Sequence, residues 1–197
     1  MSLFNLLASK PIDADAVANH LDGLDTAGRI AEIRTIPGRL QGALFNAVEG
    51  KNKVGIEHFV PSEVPDGSFI RHYGRNSLPV DSFSDFEKRF ARPRKGAKEL
   101  WAYNHSPVMG LIGAGHFVLR KDTDLDTMVC DYYRVPPVQL DGAPPIRSNS
   151  WGLSFFIYRH MVDVMWKVSE HVSIGRVVRN GRVEKQWFML CRQDVIA

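Results

Sequence analysis

Three side chains able to move protons, His116, Asp131 and Tyr133, lie on neighbouring apolar runs of this chain of 197 residues. His116 shares the parity of Val118 in a run that reads as a strand, which turns it inward. If that strand pairs with the one before Arg134, Asp131 and Tyr133 become its neighbours on one face. Such a group would do acid–base work, because imidazole titrates near neutral pH. The plainer account is a strand histidine held by one hydrogen bond. The other six histidines are scattered, with no His-Glu-x-x-His among them. Cys130 and Cys191 sit in separate apolar runs outside any Cys/His cluster, so no metal site is read and no cofactor is named. A serine nucleophile lacks its Gly-x-Ser-x-Gly setting. Gly110-Leu-Ile-Gly-Ala-Gly115 has the wrong spacing for a dinucleotide loop and reads as a twisted strand. Asp122, Asp124 and Asp126 alternate as in a calcium loop, but its glycine and closing Glu are missing, which leaves a hairpin turn.

A second constellation comes from strand register near the C-terminus. Asn180-Gly181 between two β runs is a type I′ hairpin signal, because that turn needs positive φ at both central residues. It pairs Arg179 with Arg182, Val178 with Val183 and Ile174 with Trp187. A tight turn at Ser169-Glu170 then pairs Asp163 with Arg176 and Met165 with Ile174. Alternation places Val162, Val164, Trp166, Val177, Phe188 and Leu190 on one core face. The opposite face carries Met165, Ile174, Trp187, Met189 and Cys191 together with Asp163 and Arg176. A sheet apolar on both sides must be covered on both, by helices or by curling into a barrel around a ligand. In the barrel reading, Arg176 and Asp163 orient the polar end of a small hydrophobic or amphipathic molecule. Trp187, Met165 and Met189 supply its apolar walls. The structural alternative is a cross-strand ion pair on a half-exposed sheet.

Lys88, Arg89, Arg92, Arg94, Lys95 and Lys98 form the only marked charge run, with Phe86 and Phe90 beside it. Phosphate, nucleic acid or an anionic membrane surface is one reading. Cations dressing a helix C-terminus is the simpler one, so nucleic acid is not the expected partner. The polar segment Arg75-Asn-Ser-Leu-Pro79 would either hold a ligand oxygen through Asn76 and Ser77 or shape a turn.

The elements that position these groups follow from pattern. Val17, Leu21 and Leu24 share a helix face, Asp25 caps a second helix, and Pro37 opens a third that stops at Gly50. Val54–Val60 and Ser68–Tyr73 read as short strands, and Asp81–Phe90 as a helix from the spacing of Phe83, Phe86 and Phe90. Strands follow at 100–103, 111–120, 127–135, 152–158, 161–168, 171–179 and 182–192, with Pro-rich 135–149 as an ordered loop or lid. The fold class is therefore α+β: short N-terminal helices, then a mostly antiparallel, barrel-like sheet. One domain is expected over 1–197, with a helical segment at 1–50 packed on a β-rich body at 53–192. A net charge of +3 says little about partners. No run reaches the ~18 apolar residues of a membrane span, and the N-terminus lacks a secretory pattern, so the expected location is cytoplasmic. Oligomeric state is not legible.

Phe156-Ile-Tyr-Arg-His-Met-Val-Asp163, Lys167-Val-Ser, Ile174-Gly175, Gly181 and Trp187–Arg192 resemble the second domain of a bacterial family. That family joins a Gly-Xaa-Trp-Xaa-Gly domain to a domain of unknown function and looks calycin-like, a lipocalin-type barrel. Gly38-Arg-Leu-Gln-Gly42 is similar to its first motif with Leu40 at the Trp position, and Phe86–Phe90 to a second stretch. The resemblance implies a barrel and ligand binding, and names neither ligand nor catalytic residue.

Overall fold

Eight antiparallel strands close into a barrel in the computed structural model of this chain, which describes residues 1–77, 84–106, 113–147 and 158–195. Helices α1 (Leu3–Ala8), α2 (Ala14–Asp22), α3 (Thr26–Arg34), α4 (Gly38–Val48) and α5 (Ile56–Phe59) come first. The strands are β1 (Ile70–Asn76), β2 (Asp85–Ala91), β3 (Leu100–His105), β4 (His116–Asp122), β5 (Thr127–Asp131), β6 (Met161–Lys167), β7 (Val172–Arg179) and β8 (Arg182–Arg192). Each pairs with its sequence neighbour, and β8 returns to pair with β1, which leaves no free edge.

Local chemistry explains most starts and stops. Asp25 caps α3 by accepting from Gly28 N at 2.7 Å, and Asp13 caps α2 through Asp15 N and Ala16 N. Asn180-Gly181 forms its tight turn with φ of 51° and 72°. Asp122 Oδ1 accepts from Asp124 N and Leu125 N, so the aspartate run is the β4–β5 turn. Helix α1 is not among the expected helices, and β5 stops at Asp131 where a strand to 135 is expected. Two further expectations fail. Val54–Val60 contains the short helix α5 instead of a strand. The described part of Asp81–Phe90 is strand β2, because a four-residue spacing such as Phe86 to Phe90 also falls on one face of a strand. Residues 81–83, the start of the 111–120 run and residues 152–157 lie outside the described residues.

Two apolar clusters divide at the sheet. Inside, Phe90, Phe117, Leu119, Met165, Phe188 and Leu190 line the lumen. Outside β6–β8, Trp166, Ile174, Met189 and Cys191 pack under α1–α4 against Leu21, Ile33, Leu44 and Phe45. Gly42 of α4 lies on the Trp187 indole, where an added Cβ would stand 3.1 Å from the ring. The absence of a Cβ lets the helix approach this closely.

Register decides which face each residue takes. The β6–β7 connection has three residues between Val168 and Val172, closed by Val168 N to Val172 O at 2.9 Å. That is one more than a tight turn at Ser169-Glu170 supplies. Asp163 therefore pairs with Val177 and Met165 with Gly175, and every β6 side chain changes face. In the β7–β8 hairpin an irregularity between Arg176 and Val178 shifts the pairing by two, so Ile174 meets Met189 and Arg176 meets Trp187. An even shift preserves the faces.

One end of the barrel is plugged. Phe59, Val60 and Val64 join the inner cluster there. Arg92 donates to the carbonyls of Val60, Pro61 and Val64 at 2.7, 3.0 and 3.1 Å. Arg192 Nη1 donates to His58 O at 2.6 Å, and His72 Nε2 bonds Phe59 O at 2.9 Å. The connections 77–84, 106–115 and 132–160 all leave from the opposite end. Among the described residues no helix is long and apolar enough to cross a membrane.

Candidate functional site

Strand β2 alternates strictly: Phe86, Lys88 and Phe90 point into the barrel, while Glu87 and Arg89 pair with each other on the outside. Lys88 is only 2% exposed. Its Cα partner is Asn104 on β3, and the ammonium donates to Asn104 Oδ1 at 3.1 Å. It also donates to the Tyr132 hydroxyl and, at 3.1 Å, to Oδ2 of Asp163, which is 1% exposed. Asp163 stands on β6, four strands from β2 in either direction round the barrel. The lysine thus reaches across the lumen and ties opposite walls together.

Aromatic rings surround this strut. The Lys88 ammonium lies 4.7 Å from the Phe117 centroid, 4.9 Å from Phe188 and 5.0 Å from Tyr132. A cation–π contact is worth about 0.5–1 kcal/mol when exposed and about 2 kcal/mol or more when desolvated. Phe86 and Phe188 can lie flat against the wall because their neighbours are Gly74 and Gly175, where any Cβ would collide with the rings. Tyr158 stacks on Tyr132 with centroids 5.5 Å apart. The rings of Phe90 and Phe117 fill the closed side of the strut, with centroids 5.6 Å apart.

Burial sets the protonation chemistry. It pushes the Asp163 carboxyl up from its ordinary value, and the Lys88 ammonium pulls it back. The Tyr132 phenol is driven well above its usual range by burial and by the charge of Asp163, and the Cys130 thiol is driven up by burial. Neither is a source of nucleophile near neutral pH.

The five residues expected to line one ligand face are divided by the wall. Asp163 and Met165 point into the lumen. Arg176, Trp187 and Met189 are on the outer face under the helices, so the expected Asp163–Arg176 pair is corrected to Asp163–Lys88. The cause is the odd-length β6–β7 connection. Arg176 lies between the rings of Phe45 and Trp187, 5.6 and 5.7 Å away, and its Nε donates to Glu184 O at 3.2 Å.

His116, Asp131 and Tyr133 do lie on one side of the β4–β5 pair, but it is the outer side, because Phe117 and Cys130 take the inward positions. Their partners are separate. His116 packs on Tyr103 with centroids 5.7 Å apart, and burial pulls its imidazole down against hydrogen bonds to the Pro145 and Pro144 carbonyls. Asp131 Oδ2 accepts from Arg120 Nε at 2.8 Å. Tyr133 is exposed and stacks on His160 at 5.3 Å. The described part of the Pro-rich stretch, to residue 147, places Pro136, Leu140 and Ile146 over a small depression shared with Phe69, Tyr103 and His116 on the outer wall. Residues 148 and 149 lie outside the described residues.

The basic run is dispersed in the same way. Lys88 enters the lumen, Arg89 pairs with Glu87, and Arg92 holds buried carbonyls. Arg94, Lys95 and Lys98 alone remain exposed, on the loop after β2. Asn76 ends β1, and Ser77 Oγ accepts from Trp187 N at 2.9 Å, a structural bond. Among the described residues no three His, Cys, Asp or Glu side chains gather as metal ligands.

Sequence reasoning missed Lys88 as a site residue. The signal was present as Phe86-Glu-Lys-Arg-Phe90, an apolar–lysine–apolar series at period two. The architecture is the closed antiparallel barrel that a calycin-like fold requires. No protein-family model, curated protein or solved structure matches the chain.

Proposed function

We propose that the barrel binds a small hydrophobic or amphipathic molecule on the side of the Lys88–Asp163 strut away from α5. The observation that carries this reading is the strut itself. Desolvating two charges costs several kcal/mol per ion, and a buried pair commonly adds no more stability than apolar side chains of the same volume. An eight-stranded barrel is just wide enough to be filled by side chains or to hold one small ligand. A few convergent polar groups set among aromatic rings is the usual composition of such a pocket. Asp163 and Met165 are its expected contacts, together with Lys88 and Tyr132. Arg176, Trp187 and Met189 are assigned to holding α4 on the outer wall.

Native mass spectrometry of the chain purified from cells without detergent tests the proposal. A small molecule carried by the wild type and lost from the K88M/D163L variant supports it. No adduct on the wild type, with no thermal shift from fatty acids, fatty alcohols or small aromatic compounds, refutes it.

A further inference from the structure

The hydrogen-bond inventory of the strut restricts what the occupant can be. An ammonium has three N–H donors, and Lys88 directs them at Asn104 Oδ1, Asp163 Oδ2 and the Tyr132 hydroxyl. The Asn104 amide spends its N–H groups on Gly115 O and the Tyr132 hydroxyl, both at 3.0 Å. The Tyr132 hydroxyl in turn donates to Asn104 Oδ1 at 3.2 Å. One polar atom of the group is left over. Asp163 Oδ1 is buried and has no hydrogen-bond partner among the described residues. A buried carboxylate oxygen without a donor is costly, and such atoms in folded proteins are nearly always met by protein, water or ligand.

Resting on the reading of the lumen as a binding site, we infer that the ligand is an uncharged molecule bearing a hydroxyl or amide N–H on an apolar body, with that donor placed on Asp163 Oδ1. The charge balance makes the same selection. Lys88 and Asp163 together are neutral, so a neutral donor completes the carboxylate and leaves no net charge in the lumen. A ligand carboxylate would meet Asp163 with every Lys88 hydrogen already committed. A ligand ammonium would satisfy Oδ1 but bring a second, unbalanced positive charge beside Lys88. A ligand acid group is therefore disfavoured here, and an ether of the same shape fills the space without donating.

The test is a calorimetric comparison of an alcohol, its methyl ether, the amine and the carboxylic acid on two scaffolds, decyl and 4-phenylbutyl, against the wild-type chain. The alcohol is expected to bind at least about tenfold more tightly than the other three, the ratio a hydrogen bond to a charged acceptor supplies. Addition of the alcohol should also shift the Asp163 carboxyl carbon resonance in the labelled protein. An ether, amine or acid that equals or exceeds the alcohol overturns the inference while leaving the lumen as a binding site. Failure of all eight compounds to bind overturns the binding-site reading itself.

Discussion

Replacing Lys88 with Met keeps most of the length of the side chain and removes its charge, which leaves Asp163 Oδ2 without its donor and takes one of two donors from the Tyr132 hydroxyl inside the barrel. Breaking a buried pair from one side costs about 3–5 kcal/mol, because an uncompensated charge remains. For a domain of this size each kcal/mol moves the midpoint by about 2–4 °C, so K88M should melt about 6–20 °C below wild type. D163L should fall in the same range, with the ammonium stranded against Phe117 and Phe188. The double variant K88M/D163L removes both charges together and should return to within about 1 kcal/mol of wild type or exceed it. The coupling energy from the cycle should then be about 5 kcal/mol or more and opposite in sign to the single losses. Thermal and urea melts followed by circular dichroism give all four values. A double variant as unstable as the sum of the singles would refute the reasoning, because the strut would then be a structural requirement of the fold.

The remaining perturbations probe other parts of the molecule. His72 is buried and neutral, its pKa lowered from 6.5 to about 3 chiefly by burial. The unfolded chain binds the extra proton between those values, so stability should be full above pH 6.5 and fall as pH drops toward 3. The H72Q variant should flatten that slope in urea melts by about one proton, and an unchanged slope contradicts the assignment. Cys130 and Cys191 are buried free thiols, the second pushed up to about 11, so a disulfide-exchange reagent should label neither until the protein is unfolded. Rapid labelling of the native protein would show that the core opens. Gly175→Ala would place a methyl 2.7 Å from Met165 Sδ and into the Phe188 ring, with an expected loss of about 1–3 kcal/mol in a melt. Arg92→Met should cost about 2–4 kcal/mol, since the carbonyls of Val60, Pro61 and Val64 lose their donor at the closed end. Near wild-type stability would show that water replaces the guanidinium there.

The helices with polar caps and the hairpin with Asn180-Gly181 were legible because each is fixed by residues a few positions apart. The two-sided hydrophobicity of the last strands was legible too, and both solutions to it occur, a closed barrel on one face and helices on the other. The sequence could not say which face was the lumen. That depended on one residue in the β6–β7 connection, and a one-residue slip exchanges inside for outside. It moved Asp163 away from Arg176 and toward Lys88. Phe86 and Phe90 misled for a related reason: their separation fits both a helix face and a strand face. Once β2 is a strand, Lys88 belongs with the phenylalanines. The Lys88–Asp163 contact itself spans 75 positions and half the barrel's circumference, which no local pattern encodes.

Methionine-methyl NMR distinguishes the lumen from the outer wall most directly, because Met165 points inward and Met189 outward from neighbouring parts of the same sheet. With a bound alcohol, isotope-filtered spectra should show contacts from the ligand to the Met165 methyl and the Tyr132 ring, and the Met189 methyl should stay silent. Ligand contacts to Met189 or the Trp187 indole, with none to Met165, would contradict the account.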